Sequence, residues 1–482
     1  MSTYDTIIIG AGMSGLAAGI RLAHYDRRVC ILERHTTIGG LNSFYRLGGR
    51  NYDVGLHAVT NYTPKGTRKG PLARLLRQLR MSWDDLSLVP QLGSTIAFPG
   101  VSLKFDNNFE TLAAEVEKNF PAERDGFRTL ASKVVDYDDL NERTAAGSAR
   151  QIVSQWIKDP LLTEMLFCPL MYYGSAREHD MDFGQFSVMF RSIFQEGFAR
   201  PWQGVRVILK HLVRRFKELG GELRLRAGVD RIQTESDRAT RVVLSDGTEL
   251  EADRVLSSAG WVETMRMCDQ PLGESHAARD LAPQAGQLSF VEAVSVLDAQ
   301  PRDLGCDRTI VFYNEQQKFD YRKPDEAVDL TSGVICCPNN FAYRQPLEEG
   351  VVRITALANY DRWQAMSADE YRDAKLAWYE RMVASAARHV GNFRPRVVAT
   401  DTFTPTTIQR FTGHVNGAVY GAPRKRMSGT THLKNLFICG TDQGFVGIIG
   451  AMFSGIAMAN RHLLTLDADS PAATELAAQE SL

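Results

Sequence analysis

The sequence predicts an α/β protein, a doubly wound, Rossmann-like domain interleaved with a mixed α+β domain. Three observations carry this reading. The chain opens on a buried strand, a tight glycine turn, a helix and a second strand, "YDTIIIGAGMSGLAAGIRLAHYDRRVCILERH". It builds another strand, glycine turn and helix start far downstream, "NLFICGTDQGFVGIIGAMFSGIAMANRHL" at 435–463. Its 482 residues exceed what one core supports, yet no repeat or low-complexity linker divides them. The absence of a repeat and of a linker implies interleaved pieces rather than beads on a string.

The elements follow in order. The opening βαβ unit ends at Glu33. A largely helical stretch runs to about residue 200 and includes "FETLAAEVEKNF" and "DPLLTEMLFCPLMYYG". Next, "QGVRVILKHLVRRFKELGG" reads as an amphipathic helix closed by Gly220 and Gly221, followed by short strands turning at Asp246 and Gly247 and a buried strand at 253–258. Residues 285–400 mix strands such as "GVICCP" and "VVRITALANY" with one helix near 367–388, and 466–482 reads as a frayed polar tail.

Composition removes several function classes. Apolar residues make up 44% and charged residues 23%, as in a folded globular protein. A net charge of −1 offers no footprint for nucleic acid. The seven cysteines show neither Cys-x-x-Cys nor metal-ligand spacing with histidine, so no metal and no disulfide framework are expected, and a reducing cytoplasm fits. Cys336 and Cys337 read as two buried thiols in a strand rather than a strained vicinal disulfide. No signal peptide is apparent, and no apolar run reaches the roughly 18 residues that span a bilayer, so any membrane contact is peripheral.

Gly10, Gly12 and Gly15 form Gly-x-Gly-x-x-Gly between strand and helix. The first glycine permits the turn, the second admits a pyrophosphate to the backbone, and the third lets helix and strand pack closely. Amides at the helix start then hold phosphates. Glu33 ends the next strand, where a carboxylate accepts from an unphosphorylated ribose, as in NAD or FAD.

Beyond Glu33, "ERHTTIGGLNSF" carries the doublet Gly39-Gly40. It resembles the extended dinucleotide motif of the flavin-dependent amine oxidase and phytoene desaturase superfamily. "GVDRIQ" and "ADRVLSSAG" resemble that family's middle FAD segment. The resemblance implies FAD. It assigns to the cofactor Gly10, Gly12, Met13, Ser14 and Gly15 of the first turn, Glu33 and Arg34 after the second strand, Gly39, Gly40 and Leu41 of the doublet, and the backbone of Val229. It adds Gly440, Asp442, Gly447, Ile448 and Ile449 from the last segment, with Asp442 on the ribityl chain or its water shell. The late helix start would then point at the flavin ring, its amides stabilising reduced flavin, with Gly447 and Gly450 letting backbone lie against the ring. The implied division is a discontinuous FAD domain of 1–80, 200–280 and 400–465, and a substrate domain of 81–199 and 281–399.

Within the superfamily, "YDVGLHAVTNY" and "CGTDQGFVGIIGAMFSG" look most like the carotenoid isomerase, phytoene desaturase and retinol saturase branch. That resemblance implies desaturation, saturation or isomerisation of a long hydrophobic isoprenoid by hydride exchange with flavin N5. The rivals are a hydroxysqualene dehydroxylase-like enzyme, a flavin amine oxidase, and a prenyl-binding chaperone of the GDP-dissociation-inhibitor type. His57 follows Asp53 and Gly55 in the family pattern and is the candidate catalytic residue, to donate a proton or orient substrate; the alternative is a histidine that hydrogen-bonds a loop. "LLTEMLFCPLMYYG" and "FGQFSVMFRSIF" read either as walls of a dry pocket or as plain core. "TPKGTRKGPLARLLRQLRMSW" holds six basic residues and no acid, with Leu72, Leu75, Leu76 and Leu79 on one helical face. It reads either as a helix lying on an anionic bilayer at the inner face of the membrane or as a surface helix packed on its own domain.

Overall fold

The computed structural model describes residues 4–137, 147–269 and 281–465; the polar tail expected at 466–482 lies outside these residues. Five short strands form a wholly parallel sheet in the order Leu436–Ile438, Ala252–Ser257, Tyr4–Ile9, Val29–Glu33, Glu222–Leu225. The three central strands are almost entirely buried, as a parallel sheet covered on both faces requires. The first and last strand–turn–helix devices thus share one sheet, with Tyr4–Ile9 and Leu436–Ile438 flanking Ala252–Ser257.

Their helices, Met13–Ala23 and Gly447–Met458, also pack on each other. Glycine is required at that crossing: a Cβ on Gly455 would lie 2.0 Å from the Ser14 carbonyl oxygen. Gly455→Ala forces the helices apart and is expected to cost about 1–3 kcal/mol, the usual cost of overpacking, read as a lower thermal midpoint.

A seven-stranded sheet runs in the order Val397–Phe403, Ser289–Leu297, Gly350–Ala358, Ser332–Cys336, Ile310–Asn314, Ser94–Phe98, Val101–Phe105. Alternation along its strands splits the side chains between two cores. Val291, Ile354 and Ile335 face the long helix Ala368–Val390, whose Ser367 and Glu370 form a capping box. Phe290, Val334 and Leu357 face the other way, toward helices Pro160–Gly174 and Phe183–Phe190. The edge strand continues to Phe403, slightly past the expected boundary at 400. All seven cysteines are free, and Cys336 and Cys337 are buried.

The basic segment forms the helix Pro71–Leu79. Leu72, Leu75, Leu76 and Leu79 are buried in the same core as the first and last helices, so this apolar face is not available to a bilayer. Here the packed surface helix is what forms. Arg74, Arg77 and Arg80 remain exposed.

Candidate functional site

A cavity of about 870 Å³ opens where the two helix starts converge. Gly12 precedes helix Met13–Ala23 and Val446 precedes helix Gly447–Met458, and neither start has a side-chain cap. Gly12, Met13, Gly447 and Ile448 line the cavity, so two uncapped helix termini present their positive ends to one space.

The glycines divide by task. A Cβ on Gly12 would meet nothing within 4 Å, which leaves room at the backbone for a ligand. Gly10 has φ +96°, a left-handed turn that favours glycine. Gly15 does not line the cavity; its Cβ would fall 2.1 Å from the Gly10 carbonyl oxygen, so it closes helix onto strand. Ser14 lines the cavity close to Gly440, whose amide donates to Ser454 at 2.7 Å.

Glu33 is buried and lines the cavity, with its two oxygens accepting from the amides of Ala11 and His35, each at 3.0 Å. Each oxygen retains a lone pair for a ribose hydroxyl. Arg34 lines the same end, donating to the Arg410 carbonyl at 2.9 Å. The doublet lies against the first turn, with the Gly39 amide donating to Ala11 oxygen at 2.9 Å, and Gly40 and Leu41 continue the wall. Val229 also lines the cavity, where its strand pairing with Arg238–Leu244 is irregular. Open space at Gly12, two uncapped helix starts and a ribose-type carboxylate together fit an adenine dinucleotide.

Three residues of the last segment stand elsewhere. Asp442 does not line the cavity; its carboxylate accepts from the amides of Trp261 (2.5 Å) and Ala422 (2.6 Å), tying two loops to the glycine turn. Ile449 is core. Gly450 is away from the cavity, and a Cβ there would make ordinary contact with Phe445 at 3.5 Å, so the role expected for it falls to Gly447 alone.

At the far end the cavity is walled by Tyr172, Met189, Phe290, Val334, Tyr420 and Val446. From the two apolar stretches, Tyr172, Tyr173 and Met189 face the cavity, whereas Phe167, Phe186 and Phe190 are core. His57 lines this end, its Nε2 lying 3.0 Å from Thr355 Oγ1 and 3.5 Å from Glu292 Oε2. Glu292 forms a buried ion pair with Arg353. Burial alone pushes the Glu292 carboxyl up, but the Arg353 guanidinium outweighs it, assisted by a hydrogen bond from His57, and holds the group at about 2. A second buried pair, Arg200 with Asp53 at 2.6 Å, stands on the other side of the loop. Both guanidinium groups donate to the Leu56 carbonyl oxygen, Arg200 at 3.0 Å and Arg353 at 2.9 Å, so they clamp the residue before His57.

Glu292, Arg353, Thr355 and Arg200 escaped the sequence reading. A signal existed: "SFVEAVSVL" and "VVRITALA" each place one charge, of opposite sign, inside an apolar strand, where burial demands a partner.

The family model described as flavin containing amine oxidoreductase matches residues 13–463. Prolycopene isomerase 2, a chloroplastic protein of an Oncidium hybrid cultivar, is 23% identical over 504 residues, covering 95% of this chain and 83% of the relative. All-trans-retinol 13,14-reductase of Danio rerio is 22% identical, covering 95% and 86%. Among solved structures, an oxidoreductase from Methanosarcina mazei superposes with a TM-score of 0.66 at 15% identity, covering 94% of this chain and 99% of that one, which places the fold.

Proposed function

The chain belongs to the flavin-containing amine oxidoreductase family and is an FAD-dependent oxidoreductase, and from that premise we propose that its substrate is a long, apolar isoprenoid of the carotenoid or retinoid kind. The observation that carries this is the far end of the cavity, an apolar wall continuous with the nucleotide cradle. Glu292 there is already neutralised by Arg353, so it offers no free carboxylate to the ammonium of a small amine.

Bound FAD supplies two-electron exchange with a carbon–carbon bond of the substrate. The chain's own residues do the rest. Gly10, Gly12, Glu33, Arg34 and Val229 would hold the nucleotide, and Gly40, Leu41, Gly440, Gly447 and Ile448 the portion toward the second helix start. Phe290, Val334 and Val446 exclude water and align a polyene, which supplies proximity in place of an extended acid and base set. His57 meets the substrate.

The test is incubation of the FAD-loaded protein with C20 to C40 polyenes, followed by chromatography and mass spectrometry. A product altered by two hydrogens or in double-bond geometry is expected. Oxidation of amines with every polyene returned unchanged would overturn the reading.

Such a substrate resides in lipid, and no described helix is long and apolar enough to cross a membrane. Contact through the exposed cations of helix Pro71–Leu79 is therefore electrostatic, without insertion of its leucines. Each basic residue near an anionic leaflet contributes about 1 kcal/mol. Replacing Arg74, Arg77 and Arg80 together by Gln is expected to weaken liposome binding roughly a hundredfold, with salt reproducing the loss. Unchanged flotation with anionic liposomes would move the contact to another face.

A further inference from the structure

The polar groups at the apolar end of the cavity are mostly engaged with the protein itself. The Tyr172 hydroxyl bonds Ser332 at 2.9 Å, the Tyr420 hydroxyl donates to the Tyr172 carbonyl, and Glu292 is paired with Arg353. Two groups differ: the Tyr173 hydroxyl, which has no protein partner, and His57, of which only one ring nitrogen is taken. Nε2 faces Thr355 Oγ1 and the Glu292 carboxylate, and Nδ1 has no protein partner. Nδ1 is also not sealed in protein, since His57 is partly open and lines the cavity.

The partners of Nε2 decide the tautomer. Thr355 Oγ1 lies 3.5 Å from Glu292 Oε2, an acceptor only, so the threonine hydrogen turns to the carboxylate and its oxygen is left to accept. The donor this oxygen then faces is Nε2–H. A neutral imidazole with its proton on Nε2 presents Nδ1 as an acceptor. Cross-strand register fixes the arrangement, because Glu292 lies directly opposite Thr355 in the sheet.

We infer that His57 Nδ1 is a hydrogen-bond acceptor that selects a substrate carrying a hydroxyl group on its apolar chain, with Thr355 and Glu292 as positioning residues that set the tautomer. This rests on the isoprenoid reading above. A pure hydrocarbon leaves Nδ1 dry and unpaired, and an ether, aldehyde or ketone sets acceptor against acceptor. A site built around such a group discriminates against analogues that lack the donor.

The experiment measures dissociation constants on the FAD-loaded protein for a C20 polyene alcohol, its methyl ether, its aldehyde and the parent hydrocarbon, dispersed in one detergent. The alcohol is expected to bind at least about tenfold more tightly than the ether or aldehyde. His57→Phe should level alcohol and ether, weakening the alcohol and relieving the ether of its acceptor-against-acceptor contact. His57→Gln, which keeps a side-chain acceptor, should retain part of the preference and serves if the Phe variant fails to fold. Thr355→Val, which removes the nearer acceptor from Nε2 and leaves it only the Glu292 carboxylate at 3.5 Å, should shrink the alcohol preference and improve aldehyde binding. Equal binding of alcohol and ether, or a preference that survives His57→Phe, overturns the inference while a bound hydrocarbon leaves the isoprenoid reading standing. Failure of all four to bind overturns both.

Discussion

Gly12→Val is expected to yield a folded protein that purifies without flavin. The backbone at this position has φ −75° and ψ 179°, an extended conformation that valine adopts without strain. The new Cβ meets no protein atom within 4 Å, so the fold has no reason to move. What the branched side chain does occupy is the approach to the first helix start, where a pyrophosphate would lie against the amides. Flavin absorbance should therefore fall to background, and thermal unfolding of the apoprotein should match the parent apoprotein within about 0.5 kcal/mol. FAD added at a hundred times the parent's dissociation constant should stabilise the parent by about 2.7 kcal/mol and leave the variant unmoved. Denaturation of the parent should release its FAD, as expected of a non-covalent cofactor; a flavin peak that stays with the chain would refute that. Gly15→Val is the contrasting control. Its Cβ would fall 2.1 Å from a backbone oxygen, so this variant should lose the fold along with the flavin. A Gly12→Val protein that retains a full complement of FAD would mean the phosphates lie elsewhere.

The two glycine devices were legible because they are local. Strand, turn and helix lie within about 30 residues, and the spacing of Gly10, Gly12 and Gly15 reports backbone geometry directly. That both devices enter one sheet was implied by the resemblance to the flavin-dependent family rather than by any local pattern. The limits of the reading have a physical origin. Asp442 sits in a motif that suggests cofactor contact, yet its carboxylate is taken by two amides, of Trp261 and Ala422, that only the folded loops bring near. Gly450 follows the helix start by one turn, and which side of a helix faces a cavity depends on its rotation against neighbours far away in sequence. The Leu72 to Leu79 face was readable as apolar, but amphipathicity alone does not say whether protein or lipid covers it. The four-residue network around His57 joins strands about 60 residues apart to a loop more than 230 residues before them, a juxtaposition that register sets and no local pattern reports.

That network carries a large stability effect for a substitution that leaves the backbone unstrained. Arg353→Leu leaves Glu292 ionisable, almost fully buried and without its partner, and removes one of two donors from the Leu56 carbonyl oxygen. Breaking a buried pair in this way costs about 3–5 kcal/mol. The pH dependence identifies the cause. In the parent, Glu292 is held at about 2, below the roughly 4.3 of an unfolded glutamate. Its stabilising contribution is therefore complete above about pH 4.3 and is lost as pH falls toward 2. Without Arg353 the opposing push from burial prevails and the carboxyl rises above its unfolded value. The folded variant then binds the extra proton, so its stability should increase as pH is lowered from 7 toward 5, where the parent is flat. Glu292→Leu combined with Arg353→Leu removes both desolvated charges and should recover most of the loss, although the His57 tautomer is then no longer held from that side. Urea midpoints of the three proteins at pH 7 and pH 5 separate these cases. If Arg353→Leu loses stability equally at both pH values, the guanidinium serves through its bond to Leu56 rather than by compensating the Glu292 charge.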